Sequence, residues 1–215
     1  MGITTLNRYG SRATPSAVLW VRLHFWAIGA MPDVKLAVRN DVLGKRRALS
    51  TESRKQKSQA IVDSLIELAL FEDAMTIATY LPLKSEVDLS RLLWLEHRSK
   101  CFVAPRTLPN FELSFHRVRS SDALEIGFGD VQQPTASAEF VSVDKIDLFL
   151  VPLAACDRQG NRLGFGKGYY DRALADAPGF KLGIGFHCQL VDHVPFDSYD
   201  VPMNGFISEE ELIQF

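Results

Sequence analysis

The stretch NRLGFGKGYYDR, residues 161–172, sets three glycines, a lysine, two tyrosines and an acid within twelve positions. Glycine removes side-chain bulk, so backbone N–H groups can close around an anion, and it tolerates φ > 0. Lys167 adds a point charge at the rim, and Asp171 is an acid of the kind that holds a cation. The combination reads as a phosphate-binding loop of neither common kind. Gly160 and Gly166 stand one residue too far apart for a P-loop, and Lys167 is followed by Gly168 where Ser or Thr is required. Gly164, Gly166 and Gly168 run G-x-G-x-G, so the dinucleotide fingerprint fails as well. A second G-x-G, Gly183 and Gly185, has Cys188 where a third glycine belongs.

Around this loop stand other groups that phosphate chemistry uses. Mg²⁺ takes one or two carboxylates and completes its shell with water and substrate phosphate. Asp171 fits that need, and Asp200 is available as a second acid. Lys35 and Arg39 are four apart and project from one side of a helix, in reach of a polyphosphate, whereas the run Lys45 to Arg47 reads as a solvated face. His187-Cys188 and Asp192-His193 match no zinc spacing, and His187 reads as structural or as lining a substrate edge.

The elements that must position these groups alternate along the chain. Residues 33–49 read as a basic helix. Ser50 is the N-cap of a second, with Glu52 in its first turn and Ile61, Leu65 and Leu68 on one face. Strands are expected at 74–80, at 100–104 (stopped by Pro105), at 112–118, at 181–187 and at 205–208. Helices are expected at 89–96 and 169–175, and residues 127–139 read as a long connection. IDLFLVPL at 146–153 is a nearly unbroken apolar run, as in a strand covered on both faces. The class is α/β: a three-layer sandwich with a largely parallel central sheet, in one domain. In such sheets ligands sit beyond the carboxyl ends of the strands. Residues 83–88, Arg106 and the glycine loop should therefore converge.

With 215 residues, a formal net charge of −2 and pI near 6.2, the chain does not suit a dedicated nucleic-acid binder. Cys101, Cys156 and Cys188 contain no C-x-x-C pair, which indicates a reduced, cytoplasmic setting, and no run is long and apolar enough for a membrane. The apolar stretch 17–30 is broken by Arg22 and His24, against a signal peptide. Residues 1–31 are read as a disordered leader or an over-extended start, with residues 32–215 as the functional domain.

NRLGFGKGYYDR after a buried strand closely resembles the signature of the 5-formyltetrahydrofolate cyclo-ligases, or methenyltetrahydrofolate synthetases. The resemblance covers about residues 33–210. It includes Lys35-x-x-x-Arg39, Tyr80-Leu81-Pro82 with Glu86-Val87-Asp88, Cys101 to Arg106, and Tyr199-Asp200-Val201-Pro202. It implies a monomer with two substrates, 5-formyltetrahydrofolate and ATP, and with Mg²⁺ as cofactor. ATP phosphorylates the formyl oxygen, nitrogen-10 attacks, and phosphate leaves to give 5,10-methenyltetrahydrofolate. By motif position, Lys35, Arg39, Arg162, Leu163, Gly164, Phe165, Gly166, Lys167, Gly168, Tyr169 and Tyr170 bind ATP, with Lys167 and Arg162 catalytic. Asp171 and Asp200 hold Mg²⁺, and Leu83, Glu86 or Asp88, Phe165 and Tyr169 face the folate. Asp88 stands where many members have Glu, and Asn204 where an acid is common. The residues by themselves also leave open a non-enzymatic ligand sensor, or a paralogue acting on another heterocycle.

Overall fold

The computed structural model describes residues 33–94, 100–119, 122, 124–127 and 131–215. The leader expected over 1–31 lies outside them, as does the end of the helix expected at 89–96. Helix α1 (Val34–Ala48) is followed by α2 (Thr51–Ile66) and the short α3 (Ala69–Asp73). Then come β1 (Thr76–Ala78), α4 (Arg91–Trp94), β2 (Cys101–Leu108) and β3 (Glu112–Arg117). Next are β4 (Leu124–Ile126), β5 (Gln132–Pro134), β6 (Phe140–Val141) and β7 (Leu148–Pro152). Beyond them lie β8 (Ala155–Asp157), β9 (Arg162–Leu163), α5 (Tyr169–Leu174) and β10 (Phe180–Ile184). The chain closes with β11 (Leu190–Val191), β12 (Gly205–Ile207) and β13 (Leu212–Gln214).

Eight strands form the main sheet in the order β13-β12-β10-β7-β1-β2-β3-β6. The five from β12 to β2 are parallel, while β13, β3 and β6 join antiparallel at the edges. The apolar run expected to be covered on both faces is β7, buried at every residue. Its pleat sends Leu148 and Leu150 into a layer with Ile61, Leu65 and Phe71 of α2 and α3. Phe149 and Val151 enter the opposite layer with Leu174 of α5. Period-two alternation on a central strand therefore builds both cores of the three-layer sandwich at once.

Ser50 caps α2 as expected: its hydroxyl accepts from the Ser53 N–H at 3.1 Å. Leu68, expected on the same helix, lies past its end and precedes α3, yet still packs on the same core. Pro105 does not stop β2. The β1–β2 ladder ends at Ala78↔Val103, so a missing N–H two residues on breaks no bond to β1 while β3 continues to pair. His187 falls outside β10, in a 3₁₀ turn. The connection at 127–139 contains β5, which pairs with β4.

Asp157, wholly buried, ties this frame to the loop that follows. Its Oδ1 accepts from the N–H groups of Gln159 and Asn161, and its Oδ2 from Asn161 Nδ2 and the Val194 N–H, all at 2.9–3.0 Å. Asp157→Ala leaves the buried Val194 N–H and the partly buried donors of Gln159 and Asn161 without their acceptor. It should cost about 3 kcal/mol and lower the thermal midpoint by roughly 10 °C, read by calorimetry; an unchanged midpoint would show that water replaces the carboxylate.

Candidate functional site

Strand β1 lies between β2 and β7, so the chain leaves it in one direction for β2 and in the other for β7, β10 and β12. That reversal is the place where an α/β sheet opens a crevice at its carboxyl edge. A cavity of about 260 Å³ occupies it, and the expected clusters meet there. Tyr80, Leu81, Leu83 and Glu86 come from the segment after β1, Pro105 and Thr107 from β2, and Arg162, Gly164, Phe165 and the run Lys167 to Asp171 from β9, the glycine loop and α5. Arg106 does not join them. It is turned to the opposite side of its strand, where it pairs with Glu125 and donates to the Pro134 carbonyl.

Gly166 and Gly168 hold φ of 93° and 67°, values that a β-carbon resists, which explains why the loop needs glycine there. Arg39 lies against the loop from α1: its Nε donates to the Gly164 carbonyl at 2.9 Å. A β-carbon at Gly166 would stand 3.5 Å from the Arg39 guanidinium. Lys167 and Phe165 are exposed at the mouth, and Tyr169 and Tyr170 line the cavity wall. Leu163 is buried beneath, among Val42, Ala155 and Val194.

The remaining charges are paired. Lys35 Nζ donates to Asp197 at 2.6 Å and to Asp200 at 2.5 Å. Burial lowers the Lys35 pKa, but these hydrogen bonds outweigh it and the net shift is upward. Arg162, almost fully buried, donates to Asp171 Oδ1 at 2.6 Å, and the same oxygen receives the Val201 N–H at 3.4 Å. Helix α1, the glycine loop and residues 197–201 thus gather Lys35, Arg39, Arg162, Asp171 and Asp200 into one neighbourhood. Among the described residues no group of three or more His, Cys, Asp or Glu side chains is arranged to hold a metal. The carboxylates of Asp171 and Asp200 are suited to a cation that brings most of its own ligands. Asn204, where an acid was the expectation from resemblance, accepts from the Lys181 N–H and keeps β10 and β12 in step.

Two residues change standing. Arg46, read from sequence as part of a solvated run, is buried. Its guanidinium donates to Ser85 Oγ and the Leu153 carbonyl and lies 5.5 Å from the centre of the Phe165 ring. Lys35, Arg39, Val42 and Arg46 follow one another at i, i+4, i+7 and i+11, a single helical stripe hidden by the neighbouring charges of Lys45 and Arg47. Of the two acids expected to face a folate, only Glu86 lines the cavity. Asp88 is exposed and caps the turn into α4 by accepting from the Ser90 N–H.

Burial pushes the Glu86 carboxyl above its ordinary value of 4.5, against the pull of the Leu83 N–H and of Arg46. With the folded value raised, the stabilising contribution is present below pH 4.5 and is lost as pH rises through the folded value. Glu86→Gln should therefore raise the thermal midpoint at pH 7, and the gain should shrink as pH falls through the raised folded value toward 4.5. A midpoint difference independent of pH would contradict this.

The model of the 5-formyltetrahydrofolate cyclo-ligase family matches residues 32–209 of the chain. The 5-formyltetrahydrofolate cyclo-ligase of Mycoplasma pneumoniae is 32% identical over 181 residues, 82% of this chain and 99% of that relative. The cyclo-ligase of Haemophilus influenzae is 25% identical over 77% of this chain and 92% of its own. The structure of Aquifex aeolicus 5,10-methenyltetrahydrofolate synthetase superposes with a TM-score of 0.77 at 35% identity, covering 84% of this chain and 92% of that one.

Proposed function

Because the chain belongs to the 5-formyltetrahydrofolate cyclo-ligase family and is an enzyme of that kind, we propose that it converts 5-formyltetrahydrofolate and ATP into 5,10-methenyltetrahydrofolate, ADP and phosphate with Mg²⁺. The observation that carries this reading is a glycine loop with cations on one side and an apolar cavity on the other. Arg39 and Lys35 approach from α1, while Leu83, Phe165, Tyr169 and Tyr170 face the cavity. ATP binds with its phosphates on the loop backbone between Arg39, Lys35 and Lys167, and the pterin enters the apolar slot beside Glu86. The γ-phosphoryl group then crosses at Lys167.

Phosphoryl transfer asks mainly for positioning and charge neutralisation, which these groups supply. The formyl oxygen at nitrogen-5 takes the phosphoryl group, which makes its carbon electrophilic and turns the oxygen into a leaving group. Nitrogen-10 attacks that carbon and gives up its proton, and the carbon–oxygen bond breaks to release phosphate. Lys167 neutralises charge on the transferred group. Arg162 holds Asp171 in place and stands 5.9 Å from the centre of the Tyr170 ring at the cavity wall. Asp171 and Asp200 would hold Mg²⁺ together with phosphate oxygens and water, and Mg²⁺ supplies charge neutralisation on the triphosphate. Lys35 would meet phosphate oxygens in place of the carboxylates of Asp197 and Asp200 that it now holds. Residues 32–215 carry the activity as a monomer.

The test follows the formyl oxygen. With that atom labelled as oxygen-18, the reading expects the label in the released phosphate, one per methenyl product. Label remaining in the folate or appearing in water would contradict phosphorylation at that oxygen.

A further inference from the structure

Two successive residues in the turn between β2 and β3, Asn110 and Phe111, hold φ of 62° and 60°. Asparagine tolerates that left-handed region, but a bulky aromatic there is a steric outlier held by its surroundings. Burial does not account for it. Phe111 stays 41% exposed and belongs to none of the core clusters. Its ring is directed at the glycine loop and the start of α5. The ring centre stands 5.6 Å from that of Tyr169, edge-on at 79°. It also lies 5.6 Å from Lys167 Nζ and 5.8 Å from Arg172 Cζ. Arg172 in turn donates to the Lys167 carbonyl at 2.9 Å, so backbone and side chain of Lys167 are both held by this pair.

We propose that Phe111 is a positioning residue for the reaction: its ring holds the Lys167 ammonium and the edge of Tyr169 in place before the triphosphate arrives. The π face attracts the cation, and a pre-placed lysine loses less side-chain freedom on binding. The strained turn is what brings the ring to the loop instead of to the core. This rests on the assignment of Lys167 to ATP.

The experiment compares the full chain with Phe111→Ala, Phe111→Leu and Phe111→Tyr. It measures the Kd of Mg²⁺-ATP by calorimetry, kcat and KM from methenyltetrahydrofolate absorbance, and the thermal midpoint. Acylation of Lys167 by an amine-selective reagent is followed by peptide mass spectrometry. Phe111→Ala should weaken ATP binding and raise its KM by about tenfold, change kcat much less, and leave the midpoint no lower. Phe111→Tyr should match the parent. Phe111→Leu, which keeps apolar bulk but loses the π face, should behave like Phe111→Ala. ATP binding unchanged in Phe111→Ala, or Phe111→Leu as good as Phe111→Tyr, overturns the proposal. If the parent itself neither binds nor uses ATP, the nucleotide reading fails, and labelling decides positioning alone. Faster Lys167 acylation in Phe111→Ala but not in Phe111→Tyr upholds it, and equal rates in all variants overturn it.

Discussion

Lys167→Ala is expected to lower turnover by about 10²–10³-fold while leaving the thermal midpoint within about 1 °C of the parent. Lys167 is exposed, has its ammonium over the Phe111 ring, and contributes to no core cluster. Removing it therefore takes little from stability. It does remove the cation that the glycine loop itself carries at the mouth of the cavity, where the transferred phosphoryl group is proposed to gather charge, and leaves Arg172 of α5 bonded to the loop backbone. The effect should fall on kcat as well as on the KM for ATP, because neutralisation of a developing charge is stronger in the transition state than in the ground state. Steady-state kinetics together with scanning calorimetry separate the two quantities. Full activity would remove Lys167 from the mechanism, and a collapsed fold would mean that its role is structural.

Asp171→Asn is expected to act on both stability and metal response. The side chain of Arg162 is 3% exposed, and its Nε has no hydrogen-bond partner among the described residues, so Asp171 is what compensates its charge. Removing one member of a buried pair leaves an unbalanced charge in a poorly solvated place, at a cost of about 3–5 kcal/mol, or roughly 10 °C in the thermal midpoint. Turnover should also need much more Mg²⁺ to reach its plateau. A double replacement separates the two effects. Arg162→Met with Asp171→Leu takes away both charges and fills the space with apolar groups, and should recover most of the lost stability without recovering activity. A single variant as stable as the parent would show that Arg162 finds solvent, and an unchanged Mg²⁺ response would remove Asp171 from the metal assignment.

The parts of the site legible in the sequence are those whose meaning is local. Three glycines at alternate positions announce a backbone-lined loop because few other residues accept the φ values that Gly166 and Gly168 adopt. A buried parallel strand shows itself in β7 as continuous apolarity, and the Ser50 cap as a short polar side chain before a helical pattern. Lys35 and Arg39 share a helix face by spacing alone. What was hidden depends on distant partners. Lys35 meets Asp197 and Asp200 across more than 160 residues, and no local pattern announces that pairing. Arg46 was masked because a run of three basic residues looks solvated until its phase on the helix is counted from Arg39 and Val42. Strands of two or three residues such as β6, β9 and β11 are too short for their alternation to be read, and they exist through their neighbours' ladders. The Phe111 backbone was unreadable for a different reason: nothing in a phenylalanine foretells a positive φ.

An ATP-dependent ring closure at this loop would show itself in the absorbance of its product. Purified chain is mixed with Mg²⁺-ATP and 5-formyltetrahydrofolate, and the near-ultraviolet absorbance of 5,10-methenyltetrahydrofolate is followed, with ATP and then Mg²⁺ omitted in parallel. The expected result is a rise that needs both. No rise with both present, while calorimetry still detects bound ATP, would contradict the assignment of the folate reaction to this site.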